Sequence, residues 1–357
     1  MYLERLDIED FRCIASERID SFNRINIFYG NNGSGKTSLI EAIYMTAMAK
    51  SFRGARPRDL IKAGRERACV AVQYKDTSGL VRIGLERTGT VLKMQCNGTV
   101  VGNISQLARI LPIVFLSPDT PMEFFSCPRT RRRLLDFLLF HVEPSYLDCY
   151  RKFLRCIKNR NAMLRQGRCA AEVTCWDPKL LESATRIDQL RTGCLSRLEE
   201  VAGRMADALL GRSLDIRYLQ GWPSVHGSYA QALEVSIGGD QEVGFTRSGP
   251  HRADLEVKLD GISAKERCSR GQTKLVVAAL YIAQAMLIRD ATGRSPLILV
   301  DDLISDLDGE SRSALLRVME ETELQLFITA IEPSVIPVHG AKVTTFHVEQ
   351  GRFKQAA

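Results

Sequence analysis

The chain has little of what usually marks a metal or disulfide protein. Its five histidines are scattered, and no two of its ten cysteines lie two or three positions apart. A zinc site built on Cys-x-x-Cys spacing is therefore disfavoured, and the thiols read as reduced, mostly buried side chains. The opening Met1-Tyr2-Leu3-Glu4-Arg5 brings acid early and no apolar run, so no secretory signal and a cytoplasmic location are expected. The longest apolar stretch, Leu275 to Ile288, is 14 residues and carries Gln284 inside it. That falls short of the roughly 20 residues of a membrane span. It reads as a buried helix, and no membrane partner is expected. An Asn-Lys-x-Asp base-reading motif is also missing, which disfavours a GTPase.

What is present is ordinary in bulk and uneven in detail. With 357 residues, 45% hydrophobic and 25% charged, the chain has room for about two domains. The net charge of +7 is concentrated. Between Arg129 and Arg168 eleven Lys/Arg face three acids, and between Lys50 and Arg67 seven face two, which leaves the remainder near neutral. Clustered positive charge on a balanced protein suits a polyanion binder, although a solvated helix face gives the same pattern.

Three motifs carry chemistry. The strand-like Ile25–Tyr29 runs into Gly30-Asn31-Asn32-Gly33-Ser34-Gly35-Lys36-Thr37, and Ser38 to Ile43 continues as a helix. This is G-x-x-x-x-G-K-[ST] in its confirming context, strand before and helix after. The glycines let backbone N–H groups close around phosphate oxygens, and the helix N-terminus adds partial positive charge. Lys36 is expected to reach the β- and γ-phosphates of ATP, and the Thr37 hydroxyl to ligand Mg²⁺.

The second motif is Leu297-Ile298-Leu299-Val300-Asp301-Asp302, read as a buried parallel strand delivering two carboxylates to its C-terminal end. Asp301 is expected to join the Mg²⁺ shell, and Asp302 stands where many such ATPases orient the attacking water with a glutamate. Alone, the two acids could merely cap a turn. The third is Ser269-Arg270-Gly271-Gln272 before an apolar helix, which is either a plain N-cap or an anion seat. Order decides between these readings. Phosphate loop, S-x-G-Q, the Asp-Asp strand about 30 residues later, then Ser305-Asp306-Leu307-Asp308 is the layout of ATP-binding-cassette heads. Catalytic roles fall to Lys36, Asp301 and Asp302, and the signature at Ser269 to Gln272 is expected to meet ATP across a dimer.

The fold class is α/β. Strands are expected at Tyr2 to Ile8, Ala68 to Tyr74, Val81 to Glu86 and Val91 to Cys96, with turns at Thr77-Ser78-Gly79 and Asn97-Gly98. From Pro128 the period turns helical. Leu134, Leu135, Leu138, Leu139 and Val142 share one face, and Leu147, Tyr150, Leu154, Ile157 and Leu164 another. Asp177-Pro178 reads as an N-cap with proline at the first position, opening a third helix of about 30 residues, ~45 Å long. The last two helices form a short antiparallel arm, far short of a long coiled coil. Helix at Cys268 to Arg289, strand at Leu297 to Val300, helix at Asp308 to Glu321 and strand at Leu324 to Ile328 complete the reading. Because the loop and the carboxylate strand must share a sheet, the middle is an insertion. The expected cassette is 1–115 plus 245–357, and the inserted basic helical domain is 116–244.

The chain resembles the RecF family of bacterial recombination-mediator ATPases along its whole length. The match rests on Ile8-Glu9-Asp10-Phe11-Arg12, Gly30 to Thr37, Ser51-Phe52-Arg53, Arg131 to Asp136 and Lys158-Asn159-Arg160-Asn161. Gly249-Pro250-His251-Arg252-Ala253-Asp254, Ser269 to Gln272 and Val300-Asp301-Asp302 complete it. The resemblance implies ATP binding, a homodimer formed around ATP, DNA binding, and help in loading RecA at single-strand gaps, with RecO and RecR as partners. It places the protein in recombinational repair, fork maintenance and the SOS response. Cys268 stands where the family signature usually opens with leucine, and Ala253 where an acid is common. Ile328-Thr329-Ala330 carries no switch histidine, which with the short Asp302 points to slow hydrolysis. A transporter-energising ATPase would place its signature about 100 residues after the loop, and a nuclease would need a further acidic cluster. The aromatics Phe137, Phe140, Tyr146, Tyr150 and Phe153 sit at apolar helix spacing and read as core rather than base-stacking platforms. His251 is equally open to a structural and an acid–base role.

Overall fold

A computed structural model describes residues 2–76, 79–303, 307–332 and 343–356. Thr77 and Ser78 of the expected turn, and Ser305 and Asp306 of the 305–308 run, lie outside the described residues.

The N-terminal part runs β1 (Tyr2–Phe11), β2 (Ile14–Ile19), β3 (Ile25–Tyr29), α1 (Lys36–Met48), β4 (Arg67–Asp76), β5 (Gly79–Thr88), β6 (Val91–Cys96), β7 (Thr99–Val100), α2 (Ile104–Ile110) and β8 (Ile113–Leu116). The middle is α3 (Thr120–Ser126), α4 (Pro128–Val142), α5 (Tyr146–Arg165), α6 (Ala170–Thr174), α7 (Asp177–Leu210), β9 (Leu214–Leu219), α8 (Tyr229–Val243), β10 (Asp254–Leu259), β11 (Ile262–Ser263) and α9 (Ala264–Arg267). The C-terminal part is α10 (Arg270–Thr292), β12 (Leu297–Val300), α11 (Gly309–Glu321), β13 (Gln325–Ala330), β14 (Val343–Glu349) and β15 (Arg352–Gln355).

By internal contacts the chain divides into two compact units. The first is Met1–Pro121, Ala208–Gly211 and Ser269–Ala357, and the second is Met122–Asp207 and Arg212–Cys268.

In the first unit the central sheet runs β15-β14-β3-β13-β12-β8, and β14, β3, β13, β12 and β8 are mutually parallel. Every residue of β12 and β13 is buried, as expected of parallel strands covered on both faces. The phosphate-loop strand β3 and the carboxylate strand β12 do share this sheet, with β13 between them. An antiparallel sheet, β2-β1-β4-β5-β6-β7, shares one core with α1: Leu6, Ile8, Val70 and Val72 join Leu39, Ile40, Ile43, Leu299 and Phe327. Packed against strands from both sheets, α1 is buried nearly all round, with Lys36, Ser38, Glu41 and Thr46 among its buried residues, and has no solvated stripe. The helix α10 is long and apolar enough to cross a membrane by length and composition alone, yet Leu275 to Leu280 and Ile282 to Ala285 are buried inside the unit. It is the buried helix that the interrupted apolar run implies.

The second unit is mainly helical. Cys149 Sγ lies 3.4 Å from the Ser183 carbonyl, and Arg160 Nε 3.0 Å from Asp177 Oδ1, so α5 and the first half of α7 run antiparallel. Phe153, Ile157, Leu180, Ala184 and Ile187 form their shared core. Tyr229, Ala232 and Leu233 of α8 join it, so the arm is one side of a small bundle. Asp177, expected as an N-cap, is the first helical residue, its carboxylate turned to buried Arg160. Residues 245–268, which the sequence places in the cassette, group with this unit. The cause is local: β10 pairs with β9 along its whole length, and Asp254 accepts two hydrogen bonds from Arg131 of α4, at 2.7 and 2.9 Å.

Candidate functional site

The loop after β3 adopts its shape because two glycines meet crowded backbone. Gly30 has φ 152°, and a Cβ there would strike the Val348 carbonyl at the end of β14. Gly35, the N-cap of α1, has φ 118°, and its Cβ would sit 3.1 Å from Gly351 Cα and 3.2 Å from the Cys13 thiol. The Gly351 amide donates to the Ser34 carbonyl at 2.7 Å, pinning the loop to the β14–β15 turn. Lys36 Nζ folds back over the loop and donates to the Gly30 and Asn31 carbonyls, at 2.6 and 2.9 Å. Burial lowers the Lys36 ammonium below its ordinary pKa, while the Asp302 and Asp301 carboxylates pull it back up.

At the C-terminal ends of the central strands, β12 delivers its two acids beside this loop. Asp301 Oδ1 accepts from Thr37 Oγ1 at 3.1 Å and from Thr329 Oγ1 at 2.8 Å. Burial pushes the Asp301 carboxyl upward, opposed by those two hydroxyls and by the charge of Arg53. Asp302 sits in the left-handed region at φ 50°, and its amide donates to Thr329 Oγ1 at 2.9 Å. Two hard oxygen donors, the Thr37 hydroxyl and the Asp301 carboxylate, are thus within hydrogen-bonding distance at the head of α1. That donor set fits Mg²⁺, which takes oxygen ligands.

A cleft of about 580 Å³ opens here, lined by Asn32 to Ser38, by Arg12, Cys13 and Arg53, and by Asp302 and Thr329. Arg12 is held by a bidentate pair with Glu41, at 2.9 and 2.8 Å, and by the Asp59 carbonyl at 2.8 Å. Glu41 is fully buried on α1 and also accepts from Ser51 Oγ. One buried carboxylate therefore fixes both the bend after β1 and the segment leading to Arg53. Arg12 and Arg53 belong to motifs legible in the sequence, but their place in this cleft was not.

The signature residues are elsewhere on the unit. Ser269 caps α10 in a reciprocal box: its Oγ accepts from the Gln272 amide at 3.2 Å, and Gln272 Oε1 accepts from the Ser269 amide at 3.0 Å. Ser269 and Arg270 are exposed, and none of Ser269, Arg270, Gly271 and Gln272 lines the cleft. One chain brings together Gly30 to Thr37, Asp301 and Asp302, and it presents 269–272 outward at a helix N-terminus.

In the second unit, three of the segment's bases are spent on structure. Arg131 engages Asp254 and the Phe124 and Phe125 carbonyls, Arg132 the Ala253 carbonyl, and Arg160 the carboxylates of Asp177 and Asp240. A helical spacing cannot show which charges turn inward, so these three are corrections to a phosphate-contacting segment. Arg129, Arg133, Arg151, Lys152, Arg155, Lys158, Arg165 and Arg168 remain exposed. Tyr146 and Phe153 are buried, as core aromatics should be. His251 is structural: Nε2 lies 3.1 Å from the Thr246 carbonyl, and burial pushes its pKa down to about 4. Beside it, Arg191 donates to the Pro250 carbonyl at 2.7 Å and to Asp136 at 2.7 Å, so the Gly249–Arg252 turn ties β10 to α4 and α7.

A family model described as the RecF/RecN/SMC N terminal domain matches residues 2–354. The DNA replication and repair protein RecF of Shewanella denitrificans is 35% identical over 356 residues, covering 99% of each chain. The chain belongs to the RecF family. RecF of Coxiella burnetii is 34% identical over 355 residues, 98% of each chain. Among solved structures, the recombination mediator protein RecF with ATP, of the RecFOR pathway, superposes with a TM-score of 0.86 at 23% identity, covering 100% of this chain and 98% of that one. The Smc head domain from Pyrococcus furiosus gives 0.63 at 15% identity, covering 99% and 96%. The solved RecF structure and the Smc head thus share this chain's fold, that of ABC-type ATPase heads.

Proposed function

We propose that the chain is an ATP-gated DNA-binding dimer of recombinational repair. The observation that carries this is the split of the motifs: Lys36, Thr37 and Asp302 line one cleft with Asp301 hydrogen-bonded to Thr37, while Ser269 and Arg270 are exposed at the start of α10 and outside that cleft. In this reading the loop amides and Lys36 hold the phosphates, and Thr37 and Asp301 hold Mg²⁺. Asp302 orients water, and the signature of a second copy completes each site. Bound ATP supplies the γ-phosphate charge that bridges the two copies, which ADP lacks, so nucleotide state shifts the monomer–dimer equilibrium. Hydrolysis is slow, because the Asp302 side chain is short and Ile328-Thr329-Ala330 at the end of β13 carries no switch histidine.

The exposed bases of α4 and α5 and of the 50–67 segment bind DNA phosphates, with salt-dependent affinity and little sequence preference. RecF relatives are named as DNA replication and repair proteins, and one is described as a mediator in the RecFOR pathway. On that basis the partners are gapped or single-stranded DNA, RecO and RecR, and the outcome is RecA loading at gaps. The test is fluorescence anisotropy of a gapped duplex. Binding is expected to be tighter with ATP than with ADP, to lose the ATP effect in Lys36→Met, and to weaken at least about tenfold between roughly 50 and 200 mM salt. Binding indifferent to nucleotide, or unchanged by salt, contradicts the reading.

A further inference from the structure

We infer that Thr329, at the end of β13, is a positioning residue that sets both acids of the carboxylate strand, and through them the Mg²⁺ dependence of nucleotide binding. The inference rests on the reading of this cleft as an ATP site. Val300 pairs with Ile328, so in register Asp301 falls beside Thr329. The Thr329 hydroxyl has one proton and gives it to Asp301 Oδ1 at 2.8 Å. Its lone pair accepts the Asp302 amide at 2.9 Å. One buried side chain, 1% exposed, therefore holds the carboxylate of one acid and the backbone of the next.

The second contact matters because of backbone geometry. Asp302 has φ 50°, a region that costs a non-glycine residue energy and persists only where its surroundings hold it. The hydrogen bond from the Asp302 amide to the Thr329 hydroxyl is such a hold, and it fixes the direction in which the Asp302 side chain leaves the chain at the cleft wall. The first contact matters because Asp301 Oδ1 is shared. Thr37 donates to the same oxygen at 3.1 Å, and Thr37 is the other residue suited to the cation. Thr329 is the partner whose grip on Asp301 does not depend on Thr37. Valine has the same shape without the hydroxyl and would leave the Asp302 amide and Asp301 Oδ1 each one partner short. Serine keeps the hydroxyl and removes only a methyl group.

The test measures binding of a fluorescent ATP analogue to the full chain with Mg²⁺ and with EDTA, alongside the rate of ATP turnover. Thr329→Val is expected to lose about tenfold in the Mg²⁺-dependent gain in affinity, while binding in EDTA stays within about twofold of wild type. Thr329→Ser is expected to restore the Mg²⁺ effect to within about twofold. Unchanged Mg²⁺ dependence in Thr329→Val, or equal impairment of the valine and serine variants, overturns the inference. So does an equal loss with and without Mg²⁺, which marks a packing defect. If the wild-type protein binds no nucleotide, the ATP-site reading fails and this inference fails with it. If wild type binds normally and only the valine result is flat, the inference alone fails.

Discussion

The two units use positive charge in opposite ways. In the cassette unit Lys36, Arg12 and Arg53 line an open cleft, and the fully buried carboxylate of Glu41 serves to hold Arg12 in place. In the helical unit the most buried arginines never reach solvent. Arg160 and Arg191 are both 0% exposed and are locked to Asp240, Asp177 and Asp136. A count of bases along the sequence gives both kinds equal weight. Only the direction of each side chain separates a charge that recognises a ligand from one that joins helices.

Neighbours on α5 sharpen that contrast most. Replacing Arg160 by methionine leaves Asp240, also 0% exposed, with the longer 3.4 Å contacts from Arg247 and the Ser236 hydroxyl and a backbone amide. Breaking a buried pair by removing one partner costs roughly 3–5 kcal/mol, so denaturant titration of Arg160→Met should show a loss of that size. Two residues away, exposed Lys158→Ala should change stability by less than about 0.5 kcal/mol and weaken DNA binding only a few-fold. Equal stability losses for the two would erase the distinction.

A smaller effect separates a structural histidine from a catalytic one. His251 titrates at about 4 in the fold because burial disfavours its charged form, against 6.5 in its ordinary state. Between those values the unfolded chain binds the extra proton, so this contribution is complete above pH 6.5 and is lost as pH falls toward 4. Wild type should lose about 2–3 kcal/mol more stability than His251→Gln between pH 7 and 4.5. ATP turnover of His251→Gln at neutral pH should stay within about twofold of wild type. A tenfold fall in turnover with unchanged stability would return His251 to acid–base chemistry.

Local pattern carried much of this molecule. Ile25–Tyr29, Val91–Cys96 and Leu297–Val300 are strands over the ranges expected, because turn residues or glycines close off each run. The phosphate loop was legible because its glycines, lysine and threonine are contiguous. What stayed hidden depends on register and packing between distant segments. Thr329 meets Asp301 and Asp302 only because β13 lies beside β12 in one register, and no spacing along the chain encodes that. Residues 245–268 read as cassette by position after the helices, yet β9–β10 pairing and the Arg131–Asp254 contact assign them to the helical unit. Asp177 has the sequence of an N-cap, but buried Arg160 competes successfully for its carboxylate.

If the exposed signature at the start of α10 completes a nucleotide site in a second copy, nucleotide governs the mass of the particle in solution. Molar mass by light scattering tests it most directly, on wild type and Ser269→Arg with ATP, with ADP and without nucleotide. The 39.9 kDa wild-type chain should double in mass with ATP alone, and Ser269→Arg should stay monomeric while binding ATP as a monomer does. A wild type that stays monomeric in ATP, one that dimerises equally in ADP, or a Ser269→Arg variant that dimerises normally would contradict it.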